Sequence, residues 1–295
     1  MKFYVVTPTF NSLKWLPGCI RSVADQVGGG VEVHHHVQDG KSTDGTVEWL
    51  DSWAAESSAL SGYTFTYDSA KDDGMYDALN QSWEKMPSDA FVTSHLNCDE
   101  QYLPGALKGV LEAFQAHSAA DIVLTSYFVV DARCRYICHR RPIVPWRWCS
   151  CYTCEMLTCA CFHKADVFAA HGIRFDTRYR SLADMLMYRE MVKRGLCVHA
   201  ESGLVTSLFA VTGDNLGWSE VTREEWRRVW ADMPRRGALL SWLCNKVSSA
   251  RRRLADWFMS VPGEYMAYVE GGQRRTALSI KHPTSHWGCR SVSEE

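Results

Sequence analysis

Short β-rich runs alternate with helix-length amphipathic stretches through the first 126 residues, and this alternation constrains the fold more than any other feature of the chain. Runs at 3–7, 31–38, 63–67, 90–96 and 122–126 are separated by stretches at 11–26, 43–56, 75–85 and 103–117. Strands joined through a helix run parallel, because a crossover of that length returns the chain to the same end of the sheet. The expected fold class is α/β, a mostly parallel Rossmann-like sheet with helices on both faces. Ligands of such sheets sit at the carboxyl ends of the strands, so the loops after each run are the places to look for chemistry.

The composition suits such a core. Hydrophobic residues make up 46% and charged residues 22%, which excludes chain-wide disorder. The 32 Lys and Arg against 34 Asp and Glu leave a net charge of −2, which argues against whole-protein attraction to nucleic acid. No continuous apolar run is long enough to span a membrane, and residues 1–7 read as a strand rather than a signal peptide. A cytoplasmic setting is therefore expected, with the 12 cysteines as thiols or metal ligands rather than disulfides. Residues 1–215 are expected as one domain with halves 1–100 and 101–215, followed by a basic, aromatic helical extension at 216–262 and a mobile, Gly- and Ser-bearing tail at 263–295.

Four strand-end segments carry candidate chemistry. Thr7-Pro8-Thr9-Phe10-Asn11 reads as a turn whose Asn11 caps the next helix. In Gln38-Asp39-Gly40-Lys41-Ser42-Thr43-Asp44-Gly45, Asp39 can accept from a uracil imide or a ribose hydroxyl; otherwise this is a loop capped by Ser42 or Asp44. In the segment from Lys71 to Asn80, Asp73 is placed to cap a helix, and Asp77 and Asn80 share a helical face. In Asn97-Cys98-Asp99-Glu100, an acidic pair at a strand end suits a hard divalent cation such as Mn2+ or Mg2+, with plain solvation as the alternative.

In this order and spacing, the four segments resemble the nucleotide-binding half of family 2 glycosyltransferases, inverting enzymes with a GT-A fold found in bacterial cell-wall and polysaccharide synthesis. The most specific likeness is Asp73-Gly74-Met75-Tyr76-Asp77-Ala78-Leu79-Asn80. The resemblance implies nucleotide-sugar contacts from Thr7, Pro8, Thr9, Asn11, Asp39, Asp73, Gly74, Tyr76, Asp77, Asn80, Asn97 and Cys98. Within that set, Thr9 and Asp39 would hold the base, and Asp73 the nucleoside or sugar. Asp99 would bind the metal and diphosphate, while Asn97 departs from the family's aspartate and lowers the charge around a metal. Residues 158–164 and 175–184 resemble the acceptor segment, with Asp184 at the general-base position; the likeness covers roughly 3–215. The implied partners are a nucleotide-sugar donor, expected as a UDP-sugar, and a glycan or lipid-linked acceptor at the inner face of the cell membrane.

Two other readings compete with this one. A nucleotidyltransferase would need a Gly-rich, basic phosphate loop after the first strand, and residues 7–12 contain neither glycine nor a basic residue. A non-catalytic nucleotide- or zinc-binding module would centre on Cys149, Cys151, Cys154, Cys159 and Cys161. The cysteines are read instead as buried small residues, with Cys159 and Cys161 on one strand face. His34, His35 and His36 are read as a half-buried strand in which His34 and His36 share a face. The Trp- and Arg-bearing stretch at 222–259 suits either helices packed on the domain or contact with an anionic membrane, with Pro234 and Gly237 breaking it.

Overall fold

The computed structural model describes residues 1–144, 156–212, 219–231, 235–257 and 260–286. Its frame is a nine-stranded mixed sheet. Strands β1 (Lys2–Thr9), β2 (Glu32–Asp39), β3 (Tyr63–Ser69) and β4 (Ala90–His95) form the parallel part in the order β3-β2-β1-β4. Their connections are α1 (Leu16–Ala24), α2 (Thr46–Ser57) and α3 (Met75–Glu84), as the alternation requires. Past β4 the order continues β8-β6-β9-β5, with β8 antiparallel to both β4 and β6, β9 parallel to β6, and β5 antiparallel to β9. These strands are β5 (Gln101–Tyr102), β6 (Ile122–Asp131), β8 (Cys161–Lys164) and β9 (Val198–Val211), with β7 (Tyr136–Arg140) paired to β6.

Strands β5, β7, β8 and β9 have no legible signal in the sequence. The short ones carry too few residues for a period, and β9 mixes exposed and buried positions because its register slips against β6 near Thr125–Tyr127. Helix α4 (Ala106–Ala116) covers one face, and α5 (Asp166–His171) and α6 (Ala183–Lys193) follow β8. Two buried clusters sandwich the sheet. One holds Phe3, Val5, Leu16, Ile20, Leu107 and Phe114, and the other Tyr4, Val6, Trp83, Phe168, Phe175 and Tyr188. Alternate residues of β1 thus feed opposite faces, which is why this central strand reads as a continuous apolar run.

Several local expectations are corrected. Helix α1 starts at Leu16, not Asn11: Asn11 takes a left-handed φ of 47° and its side chain accepts from the Thr43 amide at 2.9 Å, joining two loops instead of capping a helix. Cys159 and Cys161 do not share a face, because a 3₁₀ turn at Thr158–Ala160 separates them and sends them to opposite clusters. Both are buried, and burial raises the Cys159 thiol well above its ordinary range; Cys149, Cys151 and Cys154 lie outside the described residues. The histidine strand is structural as read: His34 and His36 both reach Thr66 Oγ1, at 3.0 and 2.9 Å, while His35 lies between Thr7 and Tyr63.

The C-terminal segments are built into the body. Helix α7 (Glu220–Ala231) packs Val229 and Trp226 on Leu182 and Met185 of the α6 region. Helix α8 (Arg235–Trp257) runs through Gly237, which does not break it. Part of the expected tail is a hairpin of β10 (Glu264–Ala267) and β11 (Thr276–Ser279). Its Tyr265, Ala267 and Ile280 are buried with Phe128 and Leu208, and Gln101 brackets Tyr268 by accepting from its amide at 2.8 Å and donating to its carbonyl at 2.7 Å. Buried aromatics and satisfied backbone hold this segment on the body.

Candidate active site

The loops after β1, β2 and β3 meet in a cleft of about 710 Å³. Its wall comprises Phe10, Gly40, Lys41, the stretch from Lys71 to Asp77, then Thr177, Tyr179, Arg180 and Val221. Gly40 leaves needed room, since a Cβ there would lie 3.1 Å from Asp72 Oδ2 and 3.3 Å from Phe10 Cδ2. Asp39 beside it is fully buried. Its carboxylate accepts from Ser42 N (3.1 Å), Ser42 Oγ (2.5 Å) and Ser69 Oγ (2.6 Å), leaving about one of its four acceptor positions free. Thr9, paired in register with Asp39, is buried with its hydroxyl unpartnered.

The start of α3 differs from expectation in one respect. Gly74 occupies the N-cap with φ 110°, and it is Asp72 Oδ1 that accepts from the Gly74 amide (3.0 Å) and Asp77 Oδ2 that accepts from the Asp73 amide (3.1 Å). Asp73 is not the cap, which leaves its carboxylate at the cleft wall. Burial, followed by the charges of Asp77, Asp39 and Asp73, pushes the Asp72 carboxyl up. Asn80 is engaged away from the cleft. It donates to and accepts from the Phe175 backbone, each at 3.0 Å, pinning α3 to the segment that leads to Asp184. Thr7 is likewise committed, with its hydroxyl 2.9 Å from His35 in the core, and Pro8 is buried beside it.

At the end of β4, Asn97, Cys98, Asp99 and Glu100 form a tight turn in which Glu100 Oε2 accepts from the Asn97 amide at 2.8 Å. Asn97 Oδ1 and Glu100 Oε1 are buried without a hydrogen-bond partner. Burial pushes both the Asp99 and Glu100 carboxyls up, and the Asp99 charge raises Glu100 further. A set of unsatisfied oxygens with two poorly solvated carboxyls fits a hard cation, whose charge would favour the ionised forms. The neighbouring Cys98 thiol is pushed up to about 12 by burial, with the Asp99 charge adding to it.

Asp184 lies in the first turn of α6 and accepts from the Met185 amide at 2.7 Å. Burial raises its carboxyl above the ordinary range, opposed by that amide and by the Tyr76 hydroxyl beside it, while the Glu225 charge raises it further. Tyr76 links this carboxylate to the cleft: it lines the cleft and donates to the Ser181 carbonyl at 3.1 Å. The loop before α6 is held by a residue that the sequence does not single out. Buried Glu225 of α7 accepts from the amides of Arg180 (2.5 Å), Ser181 (3.0 Å) and Leu182 (3.0 Å), the three backbone donors that lead into α6. A single glutamate in a basic, aromatic helix carries no local signal for a contact 43 to 45 residues away.

A curled, mostly parallel sheet with its cleft at the carboxyl ends of β1 to β3, and an acidic turn after β4, defines the GT-A class of α/β proteins. The chain belongs to glycosyl transferase family 2, whose model matches residues 4–159. Among solved structures it is similar to Staphylococcus aureus TarS residues 1–349 in complex with UDP-GlcNAc, at 17% identity and a TM-score of 0.60, covering 78% of this chain and 64% of that one. The same TarS fragment with UDP gives 18% identity and a TM-score of 0.55 over 76% of this chain and 64% of that chain. The match thus spans less than two thirds of the TarS fragment. The Pyrobaculum calidifontis mannosyltransferase PcManGT with GDP-Man and Mn2+ gives 15% and 0.57, covering 88% and 76%. At these identities the likeness establishes the fold. No curated protein matches the chain.

Proposed function

We propose that the protein transfers a sugar from a nucleotide sugar, most simply a UDP-sugar, to a hydroxyl of a glycan or lipid-linked acceptor, with inversion at the anomeric carbon. The observation that carries this reading is a carboxylate of raised proton affinity, Asp184, connected through Tyr76 to a cleft bounded by the nucleotide-type loops. In this reading the base lies near Thr9 and the free acceptor position of Asp39, and the exposed ring of Phe10 offers it a stacking face. Asp99 and Asn97 Oδ1 would hold Mn2+ or Mg2+, which when bound offsets charge on the departing diphosphate. Lys41, Lys71 and Arg180 bring positive charge to the same cleft. Asp184 takes the acceptor hydroxyl's proton as the oxygen attacks, because a neutral hydroxyl is a poor nucleophile. TarS was solved with UDP-GlcNAc and PcManGT with GDP-Man and Mn2+, which supports a nucleotide-sugar donor here.

The deciding experiment is nucleotide binding followed by thermal shift. UDP with Mn2+ is expected to raise Tm, and Asp99→Ala to remove the metal-dependent part while the effect of UDP alone remains. An unchanged metal effect in Asp99→Ala would place the cation elsewhere.

Glu225 provides a second test, since it holds the loop before Asp184. Glu225→Ala is expected to lower kcat by about tenfold or more with little change in donor Kd, the cost of freeing buried amides. Glu225→Gln keeps an acceptor oxygen and should retain more turnover. Protonated Asp184 is inactive, so kcat/KM rises with pH through its raised pKa; removing the neighbouring charge should move that acid limb to lower pH.

A lipid-linked acceptor would draw support from α8, and no helix among the described residues is long and apolar enough to cross a membrane. At 100° per residue, Leu239, Trp242, Leu243, Lys246, Arg253, Leu254 and Trp257 share one face, with Leu239 70%, Trp242 57% and Trp257 84% exposed. The opposite face buries Ser241, Cys244 and Ser248. Such a face suits the headgroup region of an anionic membrane. Arg251 turns inward, with Nη2 donating to Val144 O at 3.0 Å, so the outward indoles are the better probes. Replacing Trp242 and Trp257 by alanine is expected to weaken cosedimentation with anionic vesicles several-fold, and equal binding would assign α8 to packing alone.

A further inference from the structure

A second group of metal-binding side chains lies away from the cleft. His117 ends α4, and His199 and Glu201 stand two residues apart on β9 and so on one face of the strand. Strands β6 and β9 begin their parallel pairing at Ile122 and Val198, so these residues sit near the amino ends of the strands, whereas the cleft opens at the carboxyl ends of β1 to β3. The two imidazole rings have centroids 3.6 Å apart with 22° between their planes. Glu201 Oε2 is 3.4 Å from His199 Nε2, and one ligand atom from each of the three residues lies within 4.8 Å of the other two.

We propose that His117, His199 and Glu201 form a site for a transition-metal dication of the zinc class, separate from the cation expected at Asp99. Each imidazole offers one ring nitrogen to the group. The carboxylate supplies an anionic third donor. Two nitrogens and one oxygen select zinc, cobalt, nickel or copper over magnesium or manganese, which prefer all-oxygen sets. Bond lengths near 2.1 Å in a tetrahedron put donor atoms about 3.4 Å apart, so the group has at most about 1.4 Å to close. His117 is exposed and can swing to do so, leaving a fourth position for water. The bound ion would clamp the end of α4 to β9, two elements that also approach closely at Gly109 and Leu204. This proposal does not depend on the transfer reaction.

The test is a Co2+ titration of the full chain, without nucleotide, followed by visible absorption and Tm. Binding of one equivalent with weak bands of nitrogen and oxygen ligation and a higher Tm is expected, weakened at least tenfold in both His117→Gln and His199→Gln and retained in Asp99→Ala. His117→Gln changes an exposed side chain, so its metal-free Tm should match the parent and separate lost binding from lost folding. Affinity equal to the parent's in the two histidine variants overturns the proposal. So does an intense near-ultraviolet thiolate-to-cobalt band, which would put the ion on cysteines.

Discussion

Asp184→Asn is expected to keep nucleotide binding and lose sugar transfer by roughly a hundredfold or more, the usual contribution of a positioned general base. The amide keeps the volume and can still accept from the Met185 amide, so the first turn of α6 should not move. It has no proton affinity at neutral pH, and the comparison isolates proton transfer. The tertiary setting makes the test sharper. Burial and the Glu225 charge raise the carboxyl of Asp184, making it a stronger base than an exposed aspartate, so a water-filled substitute cannot replace it cheaply. Calorimetry with UDP beside turnover of a suitable acceptor decides the matter. Near-normal turnover in the variant would move the base elsewhere, with Glu190 and Asp176 next; both are engaged in ion pairs with arginines, to Arg194 at 2.8 Å and Arg178 at 2.6 Å, and Arg178 holds the Asp176 carboxyl below its usual range.

Trp83→Ala is expected to cost about 3–5 kcal/mol, a large share of the roughly 5–15 kcal/mol that holds a typical domain together. Trp83 is 3% exposed, and its ring lies 4.1 Å from that of Phe168 and 5.0 Å from that of Phe175, with His95 edge-on at 6.2 Å. Alanine would leave a cavity between α3, α5 and the chain running to α6, and aromatic neighbours on three sides collapse poorly into it. For a chain of this size the loss corresponds to a fall in Tm of about 10 °C, measurable by calorimetry. Because Phe175 also carries the backbone groups bound by Asn80, the damage should extend to the placement of Asp184, and residual activity should be more heat-labile than binding. A Tm within about two degrees of the parent would show that this cluster is not the keystone of the second core.

Much of the nucleotide-side architecture is readable because it is local. The period of β1 to β4 and the helices between them requires a parallel sheet, and glycines and aspartates after each strand mark loops whose backbone must turn tightly near a ligand. Asp39, Asp73 and Asp99 all lie on such loops. Allocation within a loop is not readable in the same way. Gly74 rather than Asp73 stands at the N-cap of α3, with Asp72 accepting from its amide, and Asn11 bridges loops instead of capping α1, because side chains of equal chemistry compete for the same amides and only their positions choose between them.

Local signals weaken further where partners are remote in sequence. Thr7 and Asn80 carry polar side chains that could face a ligand, yet His35 and the Phe175 backbone engage them, contacts made 28 and 95 residues away. The hairpin at 264–279 lies in the expected tail, but Gln101 and Phe128 meet it from a distant part of the chain. The α/β class with parallel strands and the loops that carry acidic side chains were already determined in the sequence, because they follow from periodicity and turn chemistry over short windows. That β8 and β9 complete the sheet, that Glu225 holds the amides before Asp184, and that His117 meets His199 and Glu201 were settled only by the folded chain. Those outcomes depend on which distant segments bury one another's polar groups, and no local pattern encodes that choice.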